Sequence, residues 1–191
     1  MNLAKYYQFA KVSARKSAAY RSNLAVSIMT SMFYLAFAYY IWKAVSASGT
    51  LNASLMEIMA YIVLSRSLLT VTRLNMESWF SERIRKGTIT NELKRPVSLR
   101  LQTYFNFVGE AAFRMISRAL PIFFLGFVIF DIPLPRVFNF SAFALSAFLS
   151  FHLVFAFTYL FSMFIFWTKS GWSIRMMKNS IQRVFSGAIF P

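Results

Sequence analysis

Four long apolar stretches, parted by short polar segments, organise this chain. The first, residues 24–45, covers about 33 Å as a helix, enough to cross a hydrocarbon core of about 30 Å. The second, residues 55–74, carries Arg66 and Arg73 inside it. The third lies within Leu101–Phe130, which is interrupted by Glu110, Arg114 and Arg118. Its span is set at 104–130, with the charges near one end and Pro121 as the expected point of irregularity. The fourth, 142–167, is clean except for His152. Tyr39, Tyr40 and Trp42 close the first stretch, and Trp167 and Trp172 lie at the exit of the fourth, where aromatic belts meet headgroups. The pattern predicts an all-α, polytopic transmembrane helical bundle with four clear spans and a partial fifth over 172–191.

The segments between the stretches have their own periodicity. In residues 1–23, Leu3, Tyr6, Tyr7, Ala10 and Ala14 recur at helical spacing beside Lys5, Lys11, Arg15 and Lys16. That spacing predicts an amphipathic helix in the membrane interface, its basic stems reaching toward headgroups. A plain basic tail is the alternative. Residues 75–100 hold the densest run of charge. Gly87 suits the position after a helix end, Thr88 suits a cap, and a short helix through Leu93 should stop at Arg95, which precedes Pro96.

Charge then orients the spans. The chain has 21 Lys and Arg against 6 acids, and a balance of +15 ordinarily suggests nucleic acid. The cations, however, cluster between the apolar stretches: five before Leu24, six in 75–100 and four in 168–183. The 46–53 segment has none and 131–139 has only Arg136. This asymmetry predicts a cytoplasmic N-terminus, middle loop and final segment, and argues for a lipid bilayer rather than nucleic acid as partner. Hydrophobic residues make up 58% of the chain and charged ones 14%, which excludes an ordinary soluble domain.

Catalytic chemistry is hard to assemble from these residues. There is no cysteine, one histidine and no phosphate-binding loop; Lys86-Gly87-Thr88 has the letters without the glycine-rich cradle. No metal-ligand spacing and no nucleophile–base arrangement is present, so neither catalytic residues nor a metal or cofactor site is expected. Any work must draw its energy from another subunit or a gradient. The intramembrane polar candidates are Arg66, Glu110, Arg114, Arg118 and His152. Arg66 and Glu110 lie at similar depths in adjacent spans, about 12 Å from residue 74 and about 14 Å from Leu101. They read as an inter-helix lock or as the polar lining of a substrate path. His152 reads as a helix–helix hydrogen bond or a proton relay.

The run from Ile84 to Ser98, with Gly87, Thr88, Ile89, Leu93, Arg95 and Pro96 in order, resembles the loop of type-two ABC exporter permeases. It is nearest to the bacterial branch with a G-T-I…L-L-R-P-V signature, Lys94 standing where that branch has leucine. The resemblance continues to Phe166-Trp167-Thr168 and to Ser186, Gly187 and Pro191. It implies a permease subunit of an ATP-driven exporter in the prokaryotic inner membrane. It also implies a second permease, identical or different, and two ATPase subunits that bind the ATP. The 75–100 loop would then dock on an ATPase, with Ile89 and Leu93 as apolar contact and Glu92 and Arg95 at the rim. A re-entrant turn and sixth span are implied beyond Pro191, so the C-terminal part is expected to be truncated. Two other readings stand beside this one. A membrane-embedded enzyme such as a lipid-modifying transferase lacks the acids for its metal. A non-transporting assembly or insertase factor would use a charged inner groove.

Overall fold

The computed structural model describes residues 3–19, 22–49, 54–132 and 137–185, and these are 88% helical with no strand. The helices are α1 (Leu3–Ala19), α2 (Ser22–Ala47), α3 (Leu55–Thr72), α4 (Met76–Arg85) and α5 (Ile89–Leu93). They continue with α6 (Leu99–Arg114), a π-helical turn (Met115–Ala119), α7 (Leu120–Ile129), α8 (Val137–Met163), α9 (Ile165–Thr168) and α10 (Gly171–Phe185). Among the described residues four stretches are long and apolar enough to cross a membrane: Leu24–Ala47, Leu55–Arg85, Leu99–Ile129 and Phe140–Thr168. The chain is an all-α polytopic bundle. The second stretch is interrupted where Arg73 adopts an extended backbone between α3 and α4. Parts of the 46–53 and 131–135 turns and the segment from Ser186 to Pro191 lie outside the described residues.

Two local devices shape the spans. Ser54 opens α3 with a capping box: its Oγ accepts from the Glu57 N–H at 3.3 Å, and its own N–H donates to Glu57 Oε2 at 2.9 Å. Glu57 therefore satisfies an orphan donor rather than being stranded at the head of an apolar helix. In the third stretch, Pro121 has no N–H to offer the Ser117 carbonyl. The ladder shifts ahead of it, and the Leu120 N–H donates to the Met115 carbonyl in a π-type bond. The irregularity expected at Pro121 thus takes the form of a π-turn on its N-terminal side.

The helices form two compact units, and the first contains the described residues up to Arg73 together with Phe105–Phe148. Its core joins Leu35 of α2, Met59 and Val63 of α3, and Ile122 and Phe127 of α7, with Ile132 beyond. A Cβ on Gly126 would lie 2.8 Å from both Val63 methyl carbons, so α7 and α3 approach as closely as they do only because residue 126 is glycine. Gly109 has the same role between α6 and α1. A Cβ there would fall 2.1 Å from the Ala10 carbonyl oxygen. Tyr6 stacks on Phe105 at 5.6 Å on one side of this contact, and buried Ser13 flanks it on the other. The Tyr6–Ala10–Ser13 face of the amphipathic helix is therefore occupied by α6, while Lys5, Lys11, Arg15 and Lys16 remain exposed.

The second unit contains Leu74–Tyr104 and the described residues from Leu149. Phe80 is its fully buried centre, touching Trp79, Tyr159 and Phe166 at ring distances of 4.8, 6.1 and 6.1 Å. Gly171 starts α10 directly on α4, where an added Cβ would meet Ser81 Cβ at 2.5 Å and the Glu77 carbonyl oxygen at 2.8 Å.

Across the molecule large apolar side chains stay uncovered, Phe33, Phe37, Phe124 and Leu153 among them. In the fourth stretch no residue from Phe140 to Val154 is buried, and burial begins only at Phe155. Water would not leave such a surface bare, but lipid tails solvate it at no cost.

The Gly109 contact makes a testable demand. Gly109→Ala should push α1 off α6 and destabilise the first unit by roughly 1–3 kcal/mol, the usual range for overpacking. In this cysteine-free chain, a Ser13→Cys/Glu110→Cys pair reports the contact by oxidative cross-linking. Cross-linking should fall sharply when Gly109→Ala is added; an unchanged yield would show that α1 does not depend on the glycine.

Candidate functional site

The charged loop between the second and third apolar stretches is built by three successive stops and starts. Helix α4 ends at Lys86, and Gly87 follows at φ +69, its N–H bonded to the Ile84 carbonyl. This left-handed turn reverses the chain at little cost only for glycine. Helix α5 follows at once. Thr88 occupies its cap position but makes no side-chain cap; its hydroxyl instead donates to the Arg83 carbonyl at 3.5 Å. Thr90 donates back to the Gly87 carbonyl at 2.9 Å, which ties the turn to α5. The helix stops at Lys94, ahead of Arg95-Pro96.

Glu92 is the hub of this loop. Its carboxylate receives Arg83 Nε at 3.4 Å, Arg95 Nη1 at 3.0 Å and the Gln102 amide. Arg83 in turn lies 3.9 Å over the Trp79 ring. One carboxylate thus pins α5 to α4 on one side and to α6 on the other. Its side chain is only 12% exposed, so the ion pairs are partly shielded from water. Glu92 was expected at the rim of a docking surface and instead sits inside the loop. Ile89 is likewise turned inward at 8% exposure, whereas Leu93 projects at 55%. Of the two apolar side chains assigned to a contact, only Leu93 is free to make one. The reason is helical geometry: positions four apart share a face only approximately, and on a helix of five residues tucked against α4 the inner edge takes Ile89.

The intramembrane candidates are distributed differently from the expected pairing. Arg66 lies over the Tyr34 ring of α2 at 4.7 Å. Glu110 accepts a long hydrogen bond, 3.5 Å, from Ser13, with Lys16 and Arg114 as its cationic neighbours. No ion pair joins Arg66 to Glu110. The docking of α1 at Gly109 explains this, because it brings Ser13 and Lys16 to the neighbouring carboxylate. Arg114 Nη2 donates to the Val71 carbonyl at 3.4 Å. The Nε atoms of Arg66, Arg114 and Arg118 are buried without a hydrogen-bond partner. His152 shares a 2.7 Å hydrogen bond with the Tyr104 hydroxyl, beside Phe155, and so links α8 to α6.

One feature of the second unit has no sequence signature. Lys178 Nζ of α10 lies 2.6 Å from Glu77 Oε1 of α4, both side chains buried. One turn away, Arg175 donates to the Ser78 hydroxyl, and the Gly171 N–H donates to Ser81 Oγ at 3.2 Å. The face Gly171–Ile174–Lys178 of α10, at i, i+3 and i+7, is thus laid along the helix that leads into the loop. Nothing in the charge pattern singles out Glu77 among the acids of residues 75–100.

A family model described as "ABC-2 family transporter protein" matches residues 27–191, and the chain belongs to that family. No curated protein and no solved structure matches it. With four spanning-length helices, the chain is a multi-pass membrane component of an ABC transporter.

Removing one partner of a buried ion pair strands the other, so Glu77→Ala should cost about 3–5 kcal/mol. Replacing both, Glu77→Leu with Lys178→Met, should recover most of that loss. Denaturant unfolding in detergent, followed by circular dichroism, separates the cases. A Glu77→Ala chain that unfolds with the parent would mean that the pair does not hold α4 to α10.

Proposed function

We propose that this ABC-2 family chain is a permease subunit that exports a substrate from the cytoplasm, driven by ATP hydrolysed on a separate ATPase subunit. The observation that carries the reading is the α5 loop. A helix of five residues has no stability of its own. Here it is fixed by a glycine turn, a proline stop and the three-way Glu92 clamp, and it presents one exposed apolar side chain, Leu93. A rigid projection at the end of two apolar stretches can receive a push from a partner and pass it along α4 and α6. Long loops held this firmly usually do more than connect. Through the Glu77–Lys178 pair, the same push would reach α10.

In this reading two ATPase subunits serve a pair of permeases. The uncovered first half of the fourth apolar stretch, Phe140 to Val154, is compatible with lipid and with a second permease alike. The Lys and Arg asymmetry supports an orientation with the N-terminus and the α5 loop in the cytoplasm, and the resemblance of the loop points to a prokaryotic inner membrane.

Two measurements test this. In complex with its ATPase, Leu93→Asp should abolish substrate-stimulated ATP hydrolysis while the permease accumulates normally, because the side chain is exposed and its loss leaves the fold intact. Ile89→Asp should instead lower folded yield, since it buries a carboxylate. Normal coupling in a well-expressed Leu93→Asp complex would sink the assignment of the loop. For orientation, an impermeant thiol reagent on intact cells should label Ser48→Cys and leave Ser98→Cys untouched until the membrane is opened. The reverse pattern would invert the topology.

A further inference from the structure

We propose that a basic cavity between α4 and α10 binds the phosphate of an anionic lipid headgroup at the inner face of the membrane. The cavity measures about 490 Å³. Ser81, Arg85 and Lys86 line it from α4 and its C-terminal cap, and Trp172 and Arg175 line it from the first turns of α10. Glu82 is the opposing charge, and its carboxylate is held by Lys86 Nζ at 2.7 Å. Arg85 is exposed and forms no ion pair among the described residues. Arg175 spends one nitrogen on Ser78, and its buried Nε has no hydrogen-bond partner. Two guanidinium forks on facing walls match the several acceptor oxygens of a phosphate better than a single carboxylate. The start of α10 adds the positive end of a helix dipole to the same space.

Depth selects the source of the phosphate. Thr168 ends the fourth apolar stretch, and α10 begins at Gly171, so the cavity opens where hydrocarbon gives way to headgroups. Trp167 and Trp172 are both exposed there, as aromatic side chains are at that level of a bilayer. Basic pockets among membrane helices on the cytoplasmic side are suited to anionic headgroups. A phosphate held by Arg85 and Arg175 would bridge the helix that leads into the α5 loop to the helix that follows the fourth stretch. Lipid composition would then set how firmly the loop is coupled to α10. The inner-face assignment rests on the orientation proposed above; binding itself does not.

Native mass spectrometry of the full chain in an uncharged detergent tests the site. With equimolar phosphatidylglycerol and phosphatidylcholine of matched acyl chains, phosphatidylglycerol adducts should exceed the others by roughly tenfold. Arg85→Glu, at an exposed position that packing does not require, should remove the preference. Lys43→Glu, with the same charge change far along the sequence, should keep it. Inorganic phosphate at millimolar concentration should leave the lipid adducts in place. Equal adducts of both lipids in the parent, or a preference that survives Arg85→Glu, would overturn the proposal. Displacement of the lipid by inorganic phosphate would overturn the lipid source in favour of a soluble anion. Because the measurement is made without a bilayer, it does not depend on orientation; external labelling of Ser98→Cys would refute the inner-face placement alone.

Discussion

Helices surrounded by lipid tails gain little by burying apolar side chains against one another, because the tails are already apolar. What holds this chain together is therefore close approach of backbones and the pairing of polar groups. Among the described residues, Gly109, Gly126 and Gly171 mark the places where a single Cβ would collide with a neighbouring helix. Each anchors a contact that the rest of its unit relies on. Gly109 seats α1, which in turn decides what surrounds Glu110. Gly126 lets the α2–α3–α7 core close around Val63 and Ile122. Gly171 lays α10 on α4 and so aligns Lys178 with Glu77 and Arg175 with Ser78.

The polar pairings divide the labour by exposure. Glu92 is partly shielded and has three donors, so it fixes the angle of α5 without the full desolvation penalty of a dry site. Glu77 and Lys178 are fully enclosed, and their attraction must offset a larger cost. A pair of that kind adds less to net stability than its distance suggests, but it penalises any other registration of α10 on α4. Specific registration is what a mechanical linkage needs. Membership in the ABC-2 transporter family gives such a linkage a place to act.

The arginines of the first unit follow the same rule of partial satisfaction. Arg66 rests its guanidinium on the Tyr34 ring, where the π face supplies attraction without a carboxylate. Arg114 takes a backbone carbonyl of α3 instead of an acid. Such contacts let a cation sit within an apolar stretch while leaving donor atoms uncommitted.

Element type and the short helix after Gly87 were legible in the sequence because each depends on local pattern. Twenty or more apolar residues read as a span wherever they occur, Gly87 and Pro96 punctuate the backbone whatever lies around them, and a helix through Leu93 needs only its own residues to be recognised. The resemblance to ABC permeases was read there too, and the family itself is shown by the match over residues 27–191. Partners were not legible, because they depend on which faces meet. The sequence placed Arg66 and Glu110 at one depth, yet α1 reaches Glu110 first through the gap at Gly109. It put Ile89 and Leu93 together on an apolar edge, and only the packing of α5 on α4 turned one inward and left the other in solvent. It offered no reason to join Glu77 to Lys178, since distant charges become neighbours only when Gly171 brings their helices together. Local propensity and hydropathy are properties of a segment; contact is a property of two segments, and tertiary packing alone decides it.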